Sequence, residues 1–130
     1  MKDRVIIITG AGMGLGLAAA QELAAKGANL VLVDYNEQSL TELRASLSKE
    51  YPEGKFITAV ADVSQEEAVK KYVLLAQEQF GRIDGLYNNA GIEGKQASIT
   101  DYDVDVFKKV IDINLMGVYY GMRYVLPIMQ

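Results

Sequence analysis

The run Thr9-Gly10-Ala11-Gly12-Met13-Gly14-Leu15-Gly16 stands between a β-branched stretch, Val5 to Ile8, and a helix-like one, Leu17 to Lys26. Four glycines in eight positions, after a strand and before a helix, describe a backbone that turns tightly. Glycine reaches the positive φ such a turn needs at little cost. It also lets an anion approach the main chain, where free N–H groups and the helix dipole favour negative charge. Gly10, Gly14 and Gly16 follow G-x-x-x-G-x-G. The pattern G-x-G-x-x-G fails in either register, because Leu15 or Leu17 falls where its last glycine belongs. No Lys-Ser/Thr pair follows, so the turn is not a P-loop. The plain alternative is a glycine turn made only for tight packing.

Working outward, Leu17, Ala20, Leu23 and Ala24 share one helix face that ends at Gly27. Asn29 to Val33 reads as a second strand. Glu37 to Lys49 is spaced as a helix by Leu40, Leu43 and Leu47, and stops before Pro52 and Gly54. Phe56 to Val60 gives a third strand. Ser64 with Glu67 predicts a capping box opening a helix that runs to Phe80, before Gly81. Ile83 to Tyr87 is a fourth strand. One long helix is expected from Val104 to Met129, amphipathic at first and apolar nearly all round beyond Ile113.

Strands that are apolar without alternation are buried on both faces, and the helices between them make right-handed crossovers. The expectation is an α/β fold: a doubly wound parallel sheet, Rossmann-like, in the order 3-2-1-4, with residues 1–130 as one domain. Consecutive strands 3 and 4 then flank strand 1 from opposite sides. Ligands bind such folds in the crevice above that switch point.

Charge and composition narrow the chemistry. A net charge of −4 attracts neither nucleic acid nor an anionic membrane. The basic pairs Lys70-Lys71 and Lys108-Lys109 fall in helical patterns and read as solvated helix faces. There is no cysteine and no histidine, which removes disulfides, thiol catalysis and the commonest metal ligand. No metal site is expected. No apolar run reaches membrane-spanning length. The first strand begins within a few residues of Met1, leaving no room for a leader, so a cytoplasmic protein is expected.

Asp34 ends the second strand 20 residues after Gly14. That spacing suits a carboxylate accepting hydrogen bonds from an adenosine ribose diol. It would repel a ribose 2′-phosphate, and neither Ala11 to Met13 nor Tyr35 to Glu37 supplies a base to hold one. The pattern therefore predicts NAD over NADP. Asp34 as the N-cap of the next helix is the alternative.

The glycine turn after Thr9, taken with Asn88-Asn89-Ala90-Gly91 at the end of the fourth strand, resembles the short-chain dehydrogenase/reductase family along all 130 residues. The resemblance implies that Thr9 and Asn89 brace the floor of a cofactor cleft. It implies that Gly10 to Gly16, with Gly12, Met13, Gly14 and Leu15, cradle a pyrophosphate, and that Asp34 and Tyr35 meet the ribose. Asp62 would meet the adenine amino group while Val63 lines the ring. Asn89, Ala90 and Gly91 would border the cofactor. Asn114, in Ile113-Asn114-Leu115, matches the helix asparagine that holds a water in the family's proton relay; a solvated helix asparagine is the alternative. Asn89 to Gln96 resembles the levodione-reductase type, which acts on cyclic ketones.

In this family a hydride passes between nicotinamide and a carbonyl or carbinol carbon, with a serine, a tyrosine and a lysine four residues after it serving the substrate oxygen. All three are expected beyond Gln130, so the chain reads as the nucleotide-binding part of a longer enzyme, inactive by itself, whose parent takes a small alcohol or ketone. Tyr51 and Lys55 match tyrosine-x-x-x-lysine, but Pro52 and Gly54 break the helix between them, and the pair precedes strand 3. Strand 4 is expected to be an edge lacking its outer neighbour. Leu115 to Leu126 is expected to join a homo-oligomer interface; the alternative is that the rest of the parent domain buries this surface. The competing readings are a non-catalytic nucleotide-binding module and an S-adenosylmethionine methyltransferase. Against the latter, Thr9 stands where an acidic residue is common.

Overall fold

The computed structural model describes residues 1–129. Four strands, β1 (Val5–Thr9), β2 (Asn29–Asp34), β3 (Phe56–Val60) and β4 (Gly85–Asn88), form one parallel sheet in the order β3-β2-β1-β4. Ile7 pairs with Val31 on one side and Leu86 on the other. The central β1 therefore has neighbours along both edges, and all five of its residues are buried. β3 and β4 are the sheet's edges, and Tyr87 on β4 is exposed, as expected of a strand with one neighbour.

Two apolar layers cover the sheet because alternate residues of each strand point to opposite faces. Ile6, Ile8, Leu30 and Leu32 meet α1 (Gly14–Ala25) and α2 (Glu37–Glu50) through Ala20, Ala24, Leu40, Leu43 and Leu47. Val5, Ile7, Val31 and Val33 meet α3 (Glu66–Phe80) and the last helix through Val69, Tyr72, Val73 and Val125. Each fully buried Ile or Leu contributes about 1.5–3 kcal/mol, so these two layers hold the strand ends that carry the site.

Strand β4 starts two residues later than its sequence suggests and other ends shift by a residue, but three further differences bear on the site. Helix α1 begins at Gly14, inside the glycine run, so the turn's last residues are already helical. Helix α3 starts at Glu66 behind Gln65, which makes no side-chain cap, so the Ser64–Glu67 capping box does not form. The Ser64 hydroxyl instead donates to Asp62 Oδ1 at 2.6 Å, and the Ser64 N–H donates to the same oxygen at 3.0 Å. Asp62 offers that hydroxyl a charged acceptor two residues away, and the bond fixes the direction of the Ser64 side chain. The long last helix is interrupted: α4 (Val104–Ile111) passes through a π-turn at Asp112–Met116 into α5 (Gly117–Met129). Among the described residues no helix is long and apolar enough to cross a membrane.

Candidate functional site

The glycine run leaves β1 at the carboxyl edge of the sheet. Gly10 and Gly14 have φ of +66° and +56°, a region costly to any residue with a Cβ. Gly16 is buried, and a Cβ there would collide with the Gly10 carbonyl oxygen. Met13 provides no side-chain cap for α1, and the first turn holds no acidic residue. The N–H groups of Gly14, Leu15 and Gly16 have no carbonyl one turn earlier in the helix. The positive end of the α1 dipole thus faces outward without an internal counter-charge.

Asp34 is buried at the end of β2, beside this turn. Its Oδ2 accepts from the Gly12 N–H at 2.8 Å and its Oδ1 from the Asn36 N–H at 3.0 Å. Asn36, not Asp34, caps α2, accepting from the Ser39 N–H. A carboxylate has about four acceptor positions, so Asp34 keeps capacity for a ligand. A Cβ on Gly12 would stand 2.9 Å from Asp34 Oδ2, which is why that position tolerates little but glycine.

On the other side of β1, the fully buried Thr9 hydroxyl oxygen accepts from the N–H groups of Asn89 and Ala90, both at 3.0 Å. Asn89 Nδ2 donates to the Gly10 carbonyl at 3.4 Å. These bonds fasten the segment after β4 to the glycine turn. Asn88 Nδ2 donates to the Val118 carbonyl at 2.8 Å, tying β4 to the last helix just beyond its π-turn.

The π-turn sets the phase of that helix. One extra residue in the turn rotates every later position about the axis, and such turns recur at functional sites. Gly117 packs on Val63 and Gly121 on Asn88 and Tyr72, where any side chain would keep the helix off. Asn114, within the π-turn, pairs both ways with the Ile92 backbone: Oδ1 accepts from N–H and Nδ2 donates to the carbonyl, each at 2.8 Å. The π-turn was not legible from the residues, although a glycine three positions after a mid-helix asparagine is an outward sign of it.

Together these segments enclose a cleft of about 400 Å³ at the carboxyl edge of the sheet. Gly10, Met13, Asp34 and Tyr35 line one side; Asp62 and Val63 line another. Asn89, Ala90 and Gly91 complete it. Gly12, Gly14, Leu15 and Gly16 belong to the same turn but do not line the cleft, and Leu15 is exposed. Asn114 stands beside the cleft and acts on its wall through Ile92. Ala61, Ile92, Ile113 and Lys109 also line the space, unanticipated by the sequence reading of the cofactor site. Lys108 and Lys109 are both exposed, as expected of a solvated face, and Lys109 in addition borders the cleft. Its spacing of four residues from Ile113 was the available signal. Tyr51 and Lys55 flank the loop between α2 and β3, at the opposite edge of the sheet.

Residues 4–130 match the model of the short chain dehydrogenase family. The chain belongs to that family. Levodione reductase of Leifsonia aquatica is 49% identical over 128 residues, covering 98% of this chain and 48% of that enzyme. The crystal structure of levodione reductase matches with a TM-score of 0.96 at 49% identity, over 99% of this chain and 50% of that one. The crystal structure of NAD+-bound xylitol dehydrogenase matches at 0.93 and 37% identity, over 98% and 48%. L-sorbose reductase from Gluconobacter frateurii, complexed with NADPH and L-sorbose, matches at 0.93 and 29% identity, over 99% and 48%. The chain thus spans about half the length of the curated relatives it matches. Membership of the short-chain dehydrogenases displaces the methyltransferase alternative, and the likeness of Asn89 to Gln96 to the levodione-reductase type agrees with the relatives found.

Proposed function

We propose that this chain is the NAD(H)-binding part of an oxidoreductase that moves a hydride between nicotinamide and a small alcohol or ketone. The observation that carries the reading is the cleft itself. Four separate segments bring Gly10, Asp34, Asp62, Asn89 and Ala90 around one space at the carboxyl edge of the sheet. The residues fit a dinucleotide: a glycine turn whose Gly12 and Gly16 have no room for a Cβ, uncapped helix N–H groups for a pyrophosphate, and a carboxylate beside them for a diol.

When bound, the nicotinamide supplies or accepts the hydride. The chain's own work is to bind and orient. The N–H groups of the first α1 turn hold the phosphates, Asp34 holds the adenosine ribose, and Asp62 accepts from the adenine amino group through the oxygen Ser64 leaves free. Asn114 spends one N–H and one acceptor site on Ile92. One of each remains, enough to hold a water for proton transfer. The serine, tyrosine and lysine that would act on substrate come from outside these residues, so this chain by itself binds nucleotide and turns nothing over.

NAD in place of NADP rests on Asp34. Relatives of this fold carry either cofactor in their crystal structures, so the preference must come from local charge. A 2′-phosphate would meet a carboxylate already held by two N–H groups. Calorimetric titration with NAD+, NADP+ and S-adenosylmethionine tests the reading. NAD+ is expected to bind tightest, and a preference for S-adenosylmethionine ends it.

The same reading includes a homo-oligomer. Leu115, Tyr119, Met122 and Leu126 are exposed at spacings of four, three and four, an apolar stripe along one helix face. Sedimentation at rising concentration is expected to show self-association weakened by Tyr119→Glu; a monomer throughout removes this part of the proposal.

A further inference from the structure

The two neighbouring lysines of α4 have different surroundings. Lys109 lines the cleft and Lys108 does not. Lys109 forms no ion pair among the described residues, although two carboxylates, Asp34 and Asp62, line the same space. The last helix serves as a ruler for its position. Gly117 rests on Val63 at the inner end, and Ile113 borders the cleft four residues earlier. Lys109 is four residues before Ile113 and so further from Gly117 along the helix. Asp62, Val63, Ile113 and Lys109 thus line one space, with Val63 at the end where Gly117 seats.

We infer that Lys109 is a base-binding residue: its ammonium closes over the adenine that Asp62 and Val63 hold from within. The inference rests on the dinucleotide reading above and adds a contact to it. A purine offers what an unpaired ammonium on a flexible stem needs, namely ring-nitrogen acceptors and a π-face. The phosphates are met elsewhere, at the glycine turn on the far side of β1 from α4. Without a nucleotide, Lys109 has only water to bind. With one, it becomes part of the wall.

Lys109→Gln and Lys108→Gln remove the same charge from adjacent positions, so their difference cancels any general electrostatic effect. Binding of NAD+, AMP, adenosine and NADP+ is measured calorimetrically for both variants and the unaltered protein. Lys109→Gln is expected to weaken NAD+, AMP and adenosine alike, by about three- to fivefold, with Lys108→Gln unchanged. Equal losses in the two variants overturn the inference, as does a loss that spares adenosine, which places the contact on phosphate. A loss confined to NADP+ overturns it too, by placing Lys109 on the 2′-phosphate. If the unaltered protein binds none of the four, the dinucleotide reading falls and this inference with it. If it binds them and Lys109→Gln matches it, only the inference falls.

Discussion

Asp34 and Asp84 stand at opposite edges of the same sheet and meet opposite environments. Asp84, just before β4, accepts from Arg82 at 2.6 and 2.9 Å and from the Val5 N–H at 2.9 Å, with Arg4 at 3.5 Å. Arg82 first, and then the Val5 N–H, draw its carboxyl down to about 2. Asp34, ending β2, has two backbone N–H partners and no cation among the described residues. One edge closes its charge with arginines; the other fixes a carboxylate in place and leaves part of its hydrogen-bonding capacity unused. The same split runs through the glycines. Gly81, at the amino edge, has φ +71° with open space where a Cβ would go, while Gly16, at the carboxyl edge, is walled in by backbone.

The largest effect expected from this contrast is at the glycines. Gly16→Ala drives a methyl group into the Gly10 carbonyl and against the Asn89 side chain, and the backbone carbonyl has no flexible end to yield. Its cost is expected at about 3 kcal/mol or more, with nucleotide binding lost. Gly81→Ala carries only the left-handed backbone penalty, about 1 kcal/mol. Urea denaturation of both variants measures the difference. Equal costs would show that the carboxyl-edge turn is no tighter than an ordinary helix C-cap.

The aspartates sharpen the comparison further. Asp34→Ala removes the acceptor of the Gly12 and Asn36 N–H groups and the proposed ribose contact. It is expected to weaken NAD+ binding by about tenfold or more and to narrow the gap to NADP+. Asp84→Asn breaks the arginine pairing and is expected to cost about 1 kcal/mol of stability while leaving NAD+ affinity unchanged. Titration and denaturation of the pair should separate binding from folding. Unchanged NAD+ affinity in Asp34→Ala would remove the ribose assignment.

Acid distinguishes the amino edge on its own. Because the folded Asp84 value lies below its ordinary 3.8, the stability it adds is fully present above about 4 and is lost as pH falls toward 2. Partial exposure to solvent limits the contribution to about 1 kcal/mol. The measured pH dependence of unfolding between 4 and 2 should flatten in Asp84→Asn. A profile identical to the unaltered protein's would show that Arg82 gives this carboxylate no special stability.

Local patterns and tertiary placement were unequally readable. Strand order, the crossovers and the carboxyl-edge cleft were legible because continuous β-branched runs such as Val5 to Ile8 admit few other solutions. Gly10, Asp34, Asp62 and Asn89 follow strand ends, so placing the strands placed them. The π-turn was not legible, since its register depends on Gly117 seating against Val63, a contact between distant residues. That the exposed Lys109 also borders the cleft was hidden for the same reason: from sequence alone, which side of α4 faces the cleft is undetermined until that seat is known.

The smallest effect tests the one local motif that misled. A Ser64–Glu67 capping box would make Ser64→Ala cost about 1 kcal/mol through the loss of a helix cap. In the structure the hydroxyl instead steadies Asp62 at the carboxyl edge, where the Ser64 N–H already donates to the same oxygen. Removing one of two donors to an exposed carboxylate is expected to cost about 0.5 kcal/mol, with Glu67→Ala contributing nothing beyond its surface pair with Lys70. A double-mutant cycle decides between the two arrangements: a capping box couples Ser64 to Glu67, whereas the observed geometry couples Ser64 to Asp62. Coupling to Glu67 would return α3 to the start predicted from sequence, and would free the Asp62 oxygen that the hydroxyl now occupies.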